Sequence, residues 1–259
     1  MSKTARPGKL ASTLERGMRV LSLFRENHHP LSLSEIAVRA GLERSAAQRL
    51  SYTLHSLGYL ERDESTRRYR PGMRMLDLAY AYLIHDRLLE RATPMLVEAS
   101  RALGTTVNLS VLDGHEIIYK ARIPHSSLAY DATLIGVRQP AVVTAAGLVI
   151  FAFLPDSVLE ETLAQGMPAP VTPSTLRDPE LVRARVARAR EDGYTISMDQ
   201  LLVQEIVVAA PILGPGRSAI AAVSMPVYKP DWDEERAREE IVPVITETTR
   251  TISSAFLHL

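Results

Sequence analysis

The chain's 259 residues, 46% hydrophobic and 23% charged, suit a globular protein of one large or two modest domains. With no cysteine there is no disulfide framework, thiolate nucleophile or cysteine-held zinc; no apolar stretch of about 18 residues offers a membrane span, and the polar start offers no apolar signal core, so a cytoplasmic location is expected. The formal net charge of zero hides a split: residues 1–72 hold 13 Lys/Arg against 7 Asp/Glu and the remainder 17 against 23, a basic head suited to a polyanion on an acidic body.

Residues 1–11 are polar and basic, with Pro7 and Gly8, and are expected to form a disordered tail. Leu14, Met18, Leu21 and Phe24 recur at helical spacing and predict a first helix to about Asn27. His28, His29 and Pro30 break it. Ser32 and Glu35 make an S-x-x-E capping box for a short helix with Leu33, Ile36 and Ala37 inward, and Gly41 ends it. A third helix from near Glu43 puts Ala47, Leu50, Leu54 and Leu57 on one side. Its opposite side carries Ser45, Gln48, Arg49, Tyr52 and Ser56, hydrogen-bonding groups with few carboxylates to repel phosphate. After Gly58 come two short strands around a polar turn, with Arg67, Arg68 and Arg70 on the returning arm.

That order is a winged helix-turn-helix over residues 12–72. Ser45, Gln48, Arg49 and Tyr52 would read base edges in the major groove, while Arg67, Arg68 and Arg70 would hold the backbone. A three-helix bundle with a merely solvated polar face is the alternative. The short second helix, the basic hairpin and the charge split favour DNA.

Pro71 and Gly72 close the head. Met73 to Arg91 reads as a linker helix, apolar on more than one side and suited to packing against a second copy of itself. Residues 92–259 form the body. A helix is expected from Pro94 to Leu103, ended by Gly104, then two strands joined at Asp113-Gly114 and an extended stretch over 126–137. A short buried helix precedes Pro155, and a second follows to Gln165. Asp178 caps a helix that Gly193 stops. Ile206–Ile212 and Ala219–Met225 make a second hairpin across Gly214-Pro215-Gly216, and a last helix runs from about Asp233 to Leu257. Antiparallel strands flanked by helices give an α+β domain of the sensor type.

At this point the residues resemble the isocitrate-lyase-regulator (IclR) family of bacterial transcription regulators, over residues 14 to 257. The head pattern lies in E-R-G-M-R-V-L, in L-S-L-S-E-I-A-V-R-A-G-L-E-R-S-A-A-Q-R-L and in L-G-Y-L-E-R-D followed by R-Y-R-P-G. The body pattern lies in T-V-N-L-S-V-L-D-G, the helix before F-L-P, E-D-G-Y and V-A-A-P-I. The resemblance implies a winged helix-turn-helix joined by a linker helix to a GAF-like antiparallel-sheet effector-binding domain. It implies a homodimer or dimer of dimers on palindromic double-stranded operator DNA, with a small organic effector in the body. Carried over position by position, the effector pocket would hold Asn108, Thr144, Ala145, Ala146, Gly147, Ser197, Val207 and Ser224. Glu205 joins them by strand alternation, on the same face as Val203 and Val207. The chain departs from the family at Ala46, where threonine is usual, and at Ser197, Val207 and Pro226, where an acid, a cysteine and a serine are usual. Those departures predict a larger, less polar effector, an aromatic or branched catabolite with one or two polar groups.

No nucleophile elbow, phosphate loop, zinc-peptidase motif or dinucleotide fingerprint occurs, and the seven histidines lack ligand spacing, so neither enzyme activity, cofactor nor metal is expected. The reading is a ligand-responsive regulator of a catabolic operon. A constitutive architectural DNA binder and an enzyme fused to a DNA-binding head are the alternatives.

Overall fold

The computed structural model describes residues 11–27, 29–125 and 135–257, which fall into two compact units, Met1–Asp86 and Arg87–Leu259. In the first unit, α1 (Ser12–Glu26), α2 (Leu33–Ala40) and α3 (Arg44–Ser56) enclose a small core built on Val20, Leu31, Ile36, Ala47, Leu60 and Tyr69. The capping box forms as read: Glu35 N–H donates to Ser32 Oγ at 3.3 Å, and Ser32 N–H donates to Glu35 Oε2 at 2.8 Å. Gly41 takes φ 61°, the left-handed conformation that ends α2 and turns the chain toward α3.

Two inward stripes shift from expectation. On α1, Val20 is buried with Leu21, Leu23 and Phe24 against it, whereas Leu14 and Met18 are exposed. On α3, Ser51 is buried and Leu57 is exposed, because the helix stops at Ser56 and Leu57 lies beyond its last turn. The wing strands β1 (Leu60–Arg62) and β2 (Tyr69–Pro71) pair antiparallel. Tyr69 also exchanges both backbone hydrogen bonds with Leu31, at 2.8 and 2.7 Å, which ties the wing to the chain entering α2.

The linker helix is shorter than expected. α4 (Arg74–Ile84) ends well before Arg91, and α5 (Arg87–Leu103) runs through Pro94 rather than starting there. Proline in a helix interior costs about 3 kcal/mol. Burial of Ala92, Leu96, Ala99 and Ser100 along the inner face of α5 offsets that, while Pro94 itself is exposed. α4 buries none of its residues and leaves Leu76, Leu78, Tyr80, Tyr82 and Ile84 exposed.

The second unit is built on one antiparallel sheet. The hairpin of β3 (Val107–Asp113) and β4 (Glu116–Ile123) turns at Gly114, which has φ 65°. With β5 (Arg138–Pro140), β6 (Thr195–Met198), β7 (Glu205–Leu213) and β8 (Ala219–Tyr228), it gives the order β5-β4-β3-β8-β7-β6. The extended reading of residues 126–137 falls mostly outside the described residues.

Strand alternation feeds two cores. Ile206, Val208, Ala210 and Ile212 of β7, with Ala221, Val223 and Met225 of β8, pack with α5 and α10 (Val242–Ser254). The opposite face meets α6 (Ala145–Ala152), α7 (Asp156–Leu163) and α8 (Pro179–Asp192), and every residue of α6 is buried. The last helix is interrupted. The short α9 (Glu234–Arg236) passes through a π turn at Ala237–Ile241 before α10, next to Pro243, which has no N–H to place in a regular turn. The architecture is the α+β arrangement read from the sequence, headed by a winged helix-turn-helix.

Candidate nucleic-acid interface and ligand cavity

Ser45, Gln48, Arg49 and Tyr52 all lie on the exposed side of α3, opposite the buried Ala47 and Ser51. Gly17 of α1 approaches this helix from the core side, where a Cβ would lie 3.9 Å from Leu50. The bracing helix therefore presses on the apolar stripe and leaves the polar face clear.

The three wing arginines, expected to act alike, separate. Arg68 Nη1 donates to the Pro30 carbonyl oxygen at 2.7 Å and to Glu35 Oε2 at 2.9 Å, so it braces the wing against α2. Hydrogen bonds from the Ser32 side chain and backbone, then the charges of Arg68 and Arg39, hold the Glu35 carboxyl below its ordinary range. Arg70 donates to Glu61 across the hairpin at 2.9 Å. Arg67, exposed at φ 56° in the turn, carries no ion pair among the described residues. That turn is set by Asp63, which accepts from the side chains and backbone N–H groups of Ser65 and Thr66, and its carboxyl is pulled down to about 2. Arg68→Ala is expected to lower the melting temperature of the N-terminal unit. Arg67→Ala should leave melting unchanged and weaken binding to all DNA alike, reducing the salt slope by about 0.9 for each phosphate it no longer neutralises. Thermal melts beside salt titrations of operator binding separate the two.

In the second unit a cavity of about 270 Å³ opens between the sheet and the N-terminus of α6. Asn108, Thr144, Ala145, Ala146, Ser197, Glu205, Val207 and Ser224 line it, as expected, and Pro226 joins them. Gly147 does not. A Cβ there would lie 2.0 Å from the Ala141 carbonyl oxygen, so this glycine lets α6 seat on the preceding turn. Thr144 also differs in role: its hydroxyl donates to Ala141 O at 3.1 Å and accepts from Gly147 N–H at 3.0 Å, capping α6. What α6 turns toward the cavity is its first turn, at Ala145 and Ala146, whose N–H groups have no acceptor within the helix.

The expected apolar wall is only half right. Ile117, Val143, Val171, Leu201, Leu202 and Val207 supply it, but Tyr119, Arg122, Gln139, Gln200 and Tyr228 also face the cavity. Arg122 was missed for a physical reason. β4 bulges opposite β3, with Leu109 facing Ala121 and Ser110 facing Tyr119. The extra residue, Lys120, reverses the alternation, so Tyr119 and Arg122 share a face that regular pleating would deny them. No local pattern in Y-K-A-R marks that bulge.

Arg122 Nη1 donates to Asn108 Oδ1 at 3.1 Å, and Asn108 is 4% exposed, so the guanidinium is anchored at a buried amide. Burial, reinforced by the Glu205 charge and opposed by that of Arg122, pushes the Tyr119 hydroxyl up to about 12, and it stays a phenol at neutral pH. Gln200 is committed to structure: its Oε1 accepts from Leu176 N–H at 2.9 Å, and its Nε2 donates to the Ser174 and Met198 carbonyl oxygens. Ser197, 3% exposed, is the reverse case, with an Oγ that is buried and has no hydrogen-bond partner.

No metal-holding cluster of His, Asp and Glu forms among the described residues, and no helix there is long and apolar enough to cross a membrane. Comparison with known proteins matches both units. Residues 13–64 match the IclR helix-turn-helix domain and residues 80–254 the family described as bacterial transcriptional regulator IclR C-terminal. The HTH-type transcriptional regulator XynR of Escherichia coli K12 is 30% identical over 216 residues, 83% of this chain and 86% of that protein. A transcriptional regulator of Rhodococcus sp. RHA1 superposes with a TM-score of 0.80 at 30% identity, covering 95% of this chain and 98% of that one. An IclR homologue of Microbacterium hydrocarbonoxydans, solved with 4-hydroxybenzoate, superposes at 0.76 and 27% identity, covering 93% and 98%. A helix-turn-helix with an exposed polar face on its third helix and a wing, followed by a sheet domain that holds a polar-lined cavity, thus matches along nearly its whole length, and the chain belongs to the IclR family of bacterial DNA-binding transcriptional regulators.

Proposed function

We propose that this regulator binds palindromic operator DNA as a homodimer or dimer of dimers in the cytoplasm, controls a catabolic operon, and changes operator affinity when a small organic metabolite fills the cavity. The observation that carries the effector reading is the unpartnered Ser197 Oγ on the cavity wall beside the open first turn of α6. A buried hydroxyl without a partner costs about 1–3 kcal/mol, which a ligand acceptor or donor would recover. A volume of about 270 Å³ sits at the lower edge of small-molecule pockets, roughly 300–1,000 Å³, and fits a compact metabolite. The 4-hydroxybenzoate bound by the Microbacterium homologue is of that size class. The exposed apolar side chains of α4 supply a face for the second copy.

In this reading Ser45, Gln48, Arg49 and Tyr52 read the major groove and Arg67 touches the backbone. Gln48→Ala should remove a bidentate base contact, costing about 1–3 kcal/mol on the operator and little on random DNA. Equal losses on both would contradict the assignment. The effector reading is tested by screening metabolites of the operon the protein controls for a shift in both operator affinity and thermal stability. A ligand-indifferent protein would instead be the architectural binder.

A further inference from the structure

We infer that the chain carries a second ligand site, separate from the effector cavity, where Arg185 receives a small oxyanion, a carboxylate or a phosphate. The site is a recess of about 200 Å³ beside β6, the outer strand of the sheet. α8 bounds it from one face of the sheet, and α9 with the π turn bounds it from the other. Its lining shares no residue with that of the effector cavity.

Helical spacing puts Arg185, Arg188, Ala189 and Asp192 on one stripe of α8, with the buried Ala189 at its base. The four arginines of this helix differ in what they bond. Arg183 bonds Glu160 and Glu180, Arg190 bonds Asp156 and the Ala152 carbonyl oxygen, and Arg188 Nε pairs with Asp192 Oδ2 at 3.3 Å. Arg185 is half-buried and makes no hydrogen bond or ion pair among the described residues. The carboxylate whose charge reaches it, Glu234, is already bonded to Arg238 Nη2 at 2.6 Å.

The titration of these groups shows the same imbalance. Tyr194 and Glu234 raise the pKa of Arg238, whereas burial, opposed by the Glu234 charge, lowers that of Arg185. Its guanidinium therefore gives up water without gaining a bonded partner, a cost that an incoming anion would offset. Three arginines and two carboxylates line the recess, so one cation is in excess, and a single negative charge balances it. A guanidinium fork matches the paired oxygens of a carboxylate or a phosphate. Thr195, 9% exposed, adds a hydroxyl that bonds no other described residue. The recess is smaller than the roughly 300–1,000 Å³ of sites for larger organic ligands, which suits it to a small ion.

The test uses the full-length protein, titrated by calorimetry with inorganic phosphate and with acetate at an ionic strength held constant by sodium chloride. Native protein is compared with Arg185→Gln and with Arg250→Gln, a change at an exposed arginine that pairs with Glu247 on α10. One of the two anions should bind saturably to native protein and to Arg250→Gln, and at least about tenfold more weakly to Arg185→Gln, the worth of a charge-assisted hydrogen bond. Which anion it is names the source. Without added anion, Arg185→Gln should melt at or above the native temperature, because an unpaired half-buried charge has gone. Binding of neither anion, or equal binding by native protein and Arg185→Gln, overturns the inference. So does a melting temperature lowered by several degrees, which would make Arg185 a support of the fold. A changed oligomeric mass in Arg185→Gln overturns it as well, since the guanidinium would then face a second copy of the chain.

Discussion

Raising salt from about 50 to 200 mM is expected to weaken operator binding by roughly a thousandfold or more. α3 and the wing present Arg44, Arg49 and Arg67 exposed and without an ion pair among the described residues, and a dimer doubles that set. Neutralising about six to eight phosphates gives a slope of log K on log salt of roughly −5 to −7, because each neutralised phosphate releases condensed counterions. The acidic balance of residues 73–259 makes a contribution from the rest of the chain small. A fluorescence anisotropy titration across that salt range reads the slope directly. A slope near zero, or full binding by a fragment beginning at residue 73, would refute the assignment of DNA binding to the head.

Gly147→Ala should be the most damaging single methyl in the second unit. The new Cβ would lie 2.0 Å from the Ala141 carbonyl oxygen and 2.6 Å from its carbonyl carbon. Both are backbone atoms, so no rotamer change relieves the clash. Either α6 lifts from the preceding turn or that turn moves, and α6 is buried along its entire length. Overpacking that side chains can absorb costs about 1–3 kcal/mol; here the cost should reach at least the top of that range. The Thr144 cap would open with it, since Gly147 N–H is its partner. Calorimetric melts should show a transition of the effector unit lowered by several degrees and a loss of ligand response. The N-terminal unit should keep binding DNA. An unchanged melting profile with an intact ligand response would show that the turn at Ala141–Val143 yields cheaply.

Much of this molecule was legible locally. The capping box at Ser32 and Glu35, the glycine after α2, the Asp113-Gly114 hairpin and the Asp178 cap of α8 each formed where a few neighbouring residues called for them. These features depend on hydrogen bonds within four residues or on one φ angle, so a short window contains their cause. The exposed polar face of α3 follows from the same logic, because helical spacing alone separates Ala47 from Ser45, Gln48, Arg49 and Tyr52.

Errors came where the deciding partner lies far along the chain. Arg68 reads as one of three equivalent wing cations until Glu35 and Pro30, more than thirty residues away, claim it. Pro94 reads as a helix start until the packing of Leu96 and Ala99 against the sheet keeps α5 continuous across it. The cavity shows the same division. Strand parity was enough to bring Glu205 onto the face of Val207, but Arg122 reaches the cavity only because β4 bulges at Lys120 against β3. Local bonding therefore specified the elements, their caps and the exposed polar face of α3. Pairing between distant strands alone specified which charges meet inside the pocket, since a one-residue slip in register reverses every side chain beyond it.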